Sequence, residues 1–201
     1  MAYSDFSLAD LQEKFGINNH VQMLFDPLPP IEPSEFLKAQ FEHVRGLPIR
    51  TEKAKSEGIV FPLLLELRAR NNKFFTFYSG DNLNVDEQRG LRGECDFILA
   101  KDIGSFDLNF PIIQVVEAKK NDLEISVPQC GAQMVGAKVF NEKKGVQIEK
   151  IYGCVTTGDE WLFMKLEGDL YIDERKYYLN EVSELLAVFQ SILDYYKEVL
   201  K

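Results

Sequence analysis

Two acids stand where strand-like segments are otherwise apolar. Asp96 is followed by Phe97-Ile98-Leu99, and Glu117 is preceded by Ile112-Ile113-Gln114-Val115-Val116. Taking an unpaired carboxylate out of water is costly, so each needs a cation or a metal beside it. Strand side chains alternate between faces, which sets Glu117 and Lys119 on one face and Ala118 on the other. If the two segments pair as a hairpin, Asp96 can lie beside Glu117, and two carboxylates and one amine converge at the end of a sheet. Hard oxygen ligands of this kind suit Mg²⁺, with Mn²⁺ as a substitute, because Mg²⁺ keeps several waters and takes one or two carboxylates. A lysine beside the ion could orient or deprotonate a water while the ion stabilises charge on a phosphoryl oxygen. That chemistry suits phosphodiester hydrolysis. The same three residues could instead form a partly buried ion-pair cluster at a strand end.

Other residues are open to two readings. Glu66, within Leu63-Leu64-Leu65-Glu66-Leu67, is either a further site acid or a solvent-facing helix position paired with Arg70 four residues on. Gln129 and Gln133 lie one helical turn apart on a shared face, as site residues or as ordinary surface. Arg45, Arg50, Lys53 and Lys55, interrupted by Glu52, could touch phosphates but read better as a solvated linker face. Trp161 and the aromatics Phe74, Phe75, Phe77 and Tyr78 could stack on bases, although aromatics at strand spacing are more often core.

Cys95, Cys130 and Cys154 form no CxxC pair, and His20 and His43 are remote from them in sequence. A disulfide framework and a Cys/His zinc site are therefore disfavoured, and buried thiols are expected. No phosphate-binding loop, dinucleotide fingerprint or nucleophile elbow occurs.

The elements that must hold these residues follow from periodicity and breakers. A short helix is expected within residues 5–15, and the prolines 27, 29, 30 and 33 then break the chain. Ser34 caps a helix ending near Gly46, and a second helix runs from Ser56 to about Ala69 with Pro62 starting or kinking it. Strands are expected at Lys73–Tyr78, closed by a Ser79–Asn82 turn, at Gly93–Ala100 and at Pro111–Lys119. Ser126-Val127-Pro128-Gln129 has the form of a capping box opening a helix to about Asn141, whose Gly131, Ala132, Gly136 and Ala137 leave one side thin. A hairpin of strands at 151–157 and 160–166 and a capped amphipathic helix from Asn180 complete the chain.

The net charge of −9 is unlike that of a nucleic-acid binder, but it is unevenly spread. The acids concentrate in residues 1–35 and 156–201, which leaves 16 acids and 17 bases in residues 36–155. The middle of the chain, where the candidate chemistry lies, is nearly neutral. No apolar run approaches the ~20 residues needed to span a bilayer, and the first residues lack a signal-peptide pattern, so a cytoplasmic protein is expected.

Taken in order, the helix with Glu66, the strand with Gly93-Glu94-Cys95-Asp96-Phe97, the strand ending Val116-Glu117-Ala118-Lys119-Lys120 and the helix with Gln129 and Gln133 resemble the PD-(D/E)xK, or restriction-endonuclease-like, nuclease superfamily. The resemblance covers about residues 56–165. Cys95 stands where the Pro of that name would be, at a position that varies within the superfamily. The resemblance implies an α/β (α+β) fold with an αβββαβ core and a central mixed sheet flanked by helices. It implies that Asp96 and Glu117, with Glu66 as a core-helix acid, hold Mg²⁺, that Lys119 assists the attacking water, and that Gln133 or Gln129 supports the site. Residues 34–201 would form this domain, with residues 1–33 as a helical, proline-rich extension. The implied partner is nucleic acid, DNA rather than RNA, with no membrane, and the implied activity is that of a Mg²⁺-dependent nuclease. A two-strand cut would suit a homodimer. The competing expectation is a catalytically silent binding or scaffold protein on the same fold, which the acidic charge favours.

Overall fold

A computed structural model describes residues 1–119 and 122–201, and in it seven strands form one mixed sheet. The elements are helix α1 (Leu8–Phe15), strand β1 (Asn19–Gln22), helices α2 (Glu35–Val44), α3 (Glu52–Lys55) and α4 (Phe61–Arg70), strands β2 (Phe75–Asn82), β3 (Glu94–Lys101) and β4 (Ile112–Ala118), helix α5 (Val127–Lys143), strands β5 (Ile151–Thr156), β6 (Glu160–Glu167) and β7 (Asp169–Tyr178), and helix α6 (Val182–Val199). The strand order is β1-β7-β6-β5-β4-β3-β2. Among the described residues, β1 with β7 and β4 with β5 are the parallel pairs, and the other strand pairs are antiparallel.

Helices cover both faces of this sheet, and the pleat shows how. On β5, a Cβ at Gly153 would collide with Met134 and Cys130 of α5, whereas the neighbouring Tyr152 packs on Tyr195 and Tyr196 of α6. Successive residues of a strand face opposite sides, so α5 and α6 flank opposite faces. β4 lies in mid-sheet and is buried throughout, as its apolar run anticipates. No helix among the described residues is long and apolar enough to cross a membrane.

The sheet and its rim depart from the sequence reading in several places. Ser79–Asn82 is not a turn: β2 runs through it to Asn82, with Gly80 at a φ of +68°. β7 carries no clear strand signal in the sequence, because charged Asp173, Glu174, Arg175 and Lys176 interrupt its apolar alternation. β1 carries none either, since all four of its residues are exposed and it is held by pairing with β7. Lys120, which follows Lys119 in the segment that carries the resemblance, lies outside the described residues.

The helix carrying Glu66 also begins earlier than expected. Thr51 caps α3 by accepting a hydrogen bond from the Ala54 N–H, and the helical path continues through a π-turn at Ser56–Val60 into α4. Within it the Phe61 N–H bonds the carbonyl of Ser56, five residues back. Pro62 has no N–H and would press its ring on the carbonyl four residues earlier, so a widened turn just before it keeps the helix unbroken.

Residues 1–33 contribute to the core and to the sheet. Tyr3, Phe6, Leu11 and Ile17 belong to the same buried core as the sheet, and β1 is one of the sheet's strands. The thin side of α5 permits this docking. A side-chain carbon at Gly136 would collide with the Tyr3 hydroxyl, and one at Gly131 would stand 2.9 Å from Leu11 Cδ1.

Candidate functional site

The antiparallel register of β3 and β4, with Phe97 opposite Val116 and Ile98 opposite Val115, brings the start of β3 to the end of β4. At this end Asp96 Oδ2 accepts a hydrogen bond of 2.6 Å from the Ala118 N–H. Asp96 is therefore held against the residue that separates Glu117 from Lys119. Past the end of β4 the Lys119 N–H donates to Thr156 O at 2.7 Å, so the backbone under the lysine is fixed by β5.

Glu117 is 2% exposed, and donors occupy both of its carboxylate oxygens. Lys119 Nζ donates to Oε1 at 2.7 Å, and Gln129 Nε2 donates to the same oxygen. Gln133 Nε2 donates to Oε2 at 2.7 Å. Sequence read Gln129 as half of a capping box, but Ser126 makes no side-chain cap to α5, and the Gln129 amide turns to Glu117 instead. A buried carboxylate draws donors more strongly than a half-solvated helix end does.

The electrostatics are those of a crowded pair of acids with one cation. Burial raises the Glu117 carboxyl to about 7, the Asp96 charge adds to the rise, and Lys119 and Gln133 only partly oppose it. Burial also raises Asp96, against the hydrogen bond from Ala118 and the charge of Lys119. For Lys119 burial acts downward, but Glu117 and Asp96 outweigh it and hold the ammonium above its ordinary value. At neutral pH this lysine is a charged donor and not a base.

Glu66 is engaged by other groups. Its carboxylate accepts from Ser34 N–H at 3.0 Å, Ser34 Oγ at 2.5 Å and Arg70 Nε at 2.5 Å, so it ties the start of α2 to α4. It is buried, contrary to the solvent-facing expectation, and paired with Arg70 as the four-residue spacing suggested. Among the described residues no group of three or more His, Cys, Asp or Glu side chains gathers to hold an ion, so the expected trio of Asp96, Glu117 and Glu66 does not form. The physical reason is that Ser34 and Arg70 already satisfy Glu66 where it stands.

Glu52 is the residue that sequence missed. Its negative charge raises both Asp96 and Lys119, which puts it within electrostatic reach of the site. The signal was present in Thr51, a good N-cap, followed by an acid in the first turn. A helix that starts at Ser56 leaves Glu52 in a linker. Of the aromatics, Trp161 and Phe75 are fully buried, which removes them as base-stacking platforms. Cys95, Cys130 and Cys154 are buried and free, and burial pushes all three thiols up.

Two carboxylates with water completing the shell are within what Mg²⁺ accepts. One polar atom bears on the fit: Gln133 Oε1 is buried without a hydrogen-bond partner, beside the carboxylate that its amide holds. A hydrated cation at Glu117 would bring water O–H groups to this neighbourhood, and an orphaned acceptor is suited to them. The residues present therefore fit the ion. No protein-family model matches this chain, and no curated protein matches its sequence.

Proposed function

We propose that this protein is a Mg²⁺-dependent phosphodiesterase acting on nucleic acid, with DNA as the substrate the resemblance implies. The observation that carries the reading is the meeting of Asp96, Glu117 and Lys119 at one end of the β3–β4 pair. Further support comes from the run of helix α3–α4, β2, β3, β4, α5 and β5, with β4 and β5 parallel, which is the order of a restriction-endonuclease-like core. Asp96 and Glu117 would hold the Mg²⁺, whose contribution when bound is a Lewis acid for a phosphoryl oxygen. Gln133 fixes the angle of the Glu117 carboxylate. Lys119 remains protonated, so its part is to donate a hydrogen bond to the attacking water or to a phosphoryl oxygen, orienting one and stabilising charge on the other.

One observation favours the scaffold reading. Lys119, Gln129 and Gln133 satisfy Glu117 without any ion. The two readings separate on Lys119→Met. In an enzyme, Mg²⁺ affinity stays the same or rises as a like charge leaves, while turnover falls by ~10² to 10⁴. In a scaffold, loss of the ammonium leaves the Glu117 carboxylate short of a partner and lowers stability by roughly 2–4 kcal/mol, discounted because Lys119 is a quarter exposed. Calorimetry, nuclease assay and melting temperature on this one variant decide it. An early-melting mutant, together with a parent that cleaves no nucleic acid in Mg²⁺, would end the enzymatic reading.

A further inference from the structure

The two glutamines of α5 hold Glu117 from unequal positions. Gln133 is fully buried and donates to Oε2; Gln129, one turn earlier, is partly exposed and donates to Oε1. The ammonium of Lys119, also partly exposed, falls on Oε1 as well. Oε2 therefore faces the closed interior, and Oε1 faces the side where side chains can move. A carboxylate oxygen has two lone-pair sites, and both sites of Oε1 are taken. A cation that approaches from the open side must displace a donor from this oxygen. Gln133 cannot leave without opening the core, whereas Gln129 has solvent to turn into.

On the Mg²⁺ reading proposed above, we infer that Gln129 is a displaceable latch on the metal-facing oxygen of Glu117, and that Gln133 is its fixed anchor. Both are positioning residues, and they act with opposite sign. The latch competes with the ion and keeps the empty site closed. The anchor holds the carboxylate in the attitude the ion needs.

The test is Mn²⁺ titration calorimetry at pH 8 on the full-length chain and on Gln129→Met and Gln133→Met, which keep side-chain length and lose the amide. Gln129→Met should bind Mn²⁺ more tightly, by roughly tenfold for one hydrogen bond removed from a charged group. Gln133→Met should bind about 10- to 100-fold more weakly, as expected when the partner orienting a ligand is lost. Melting curves establish that each variant is folded. If Gln133→Met does not fold, the sign at the partly exposed Gln129 decides alone. Unchanged or weaker binding by Gln129→Met, with binding intact in the parent, would overturn the latch and leave the metal reading standing. Absence of Mn²⁺ binding in the parent would overturn both.

Discussion

A carboxyl almost without exposure, with a second acid nearby, holds its proton more tightly than a free glutamate does, and this governs how Glu117 responds to pH. Its folded value is raised above the ordinary 4.5 to about 7, by burial first and by Asp96 second. The protonated form thus favours folding: the contribution is complete below about pH 4.5 and is lost as pH rises through about 7. Glu117→Gln, which cannot ionise, should melt higher than the parent at pH 8, by on the order of 2 kcal/mol or roughly 5 °C, and the advantage should vanish near pH 4.5. Melting curves from pH 4.5 to 8 check this; parallel curves for parent and variant would show that Glu117 ionises in the folded chain without cost. Mg²⁺ should stabilise the parent more at pH 8 than at pH 5, because it binds the ionised carboxylate.

Among the elements, α4 buries Glu66 beside Leu63, Leu64 and Leu67 and leaves Phe61 and Leu65 partly exposed. This inverted pattern has a cause in α2. The start of that helix needs an acceptor for the Ser34 N–H and hydroxyl, and Glu66 supplies both oxygens while Arg70 balances its charge. Arg70 reaches further to the carbonyl of Glu32, in the segment that leads into α2. Glu66→Ala should therefore cost stability, about 2–3 kcal/mol, with Arg70 a third exposed and able to turn to water. Ion binding at Asp96 and Glu117 should be unaffected. Urea denaturation and Mn²⁺ titration on the same variant test the two halves; a lost ion site in a stable variant would return Glu66 to the site.

At the scale of the molecule, the ends of the chain close the structure that the middle begins. β7 separates β1 from β6, and the residues ahead of β1 pack on α5, the helix that supplies Gln129 and Gln133. Removing residues 1–22 would uncover the side of α5 that receives Tyr3 and Leu11 and leave β7 as an unprotected edge. The truncated chain should aggregate or lose cooperative unfolding, and should lose ion affinity with it because α5 positions the Glu117 donors. Size-exclusion chromatography and melting curves check this; a soluble, cooperatively melting truncation would make the segment an extension after all.

The strands around Asp96 and Glu117, the helix bearing both glutamines, the Ser34 cap and the buried thiols are legible in the residue pattern alone. These follow from local rules: alternation, apolar runs, capping residues and the cost of burying an unpaired acid. Which acid belongs to which neighbour is set by contacts distant in the chain. Glu66 and Glu52 lie 14 residues apart on one helical path, and each carries a plausible helix context. A π-turn ahead of Pro62 and a serine 32 residues away assign Glu66 to the α2 anchor, while α3 brings the Glu52 charge toward Asp96. β1 and β7 were hidden for a related reason. A four-residue exposed strand and a charged one hold their place through the backbone hydrogen bonds of a neighbour, and pairing of that kind leaves little mark in the pattern of apolar side chains.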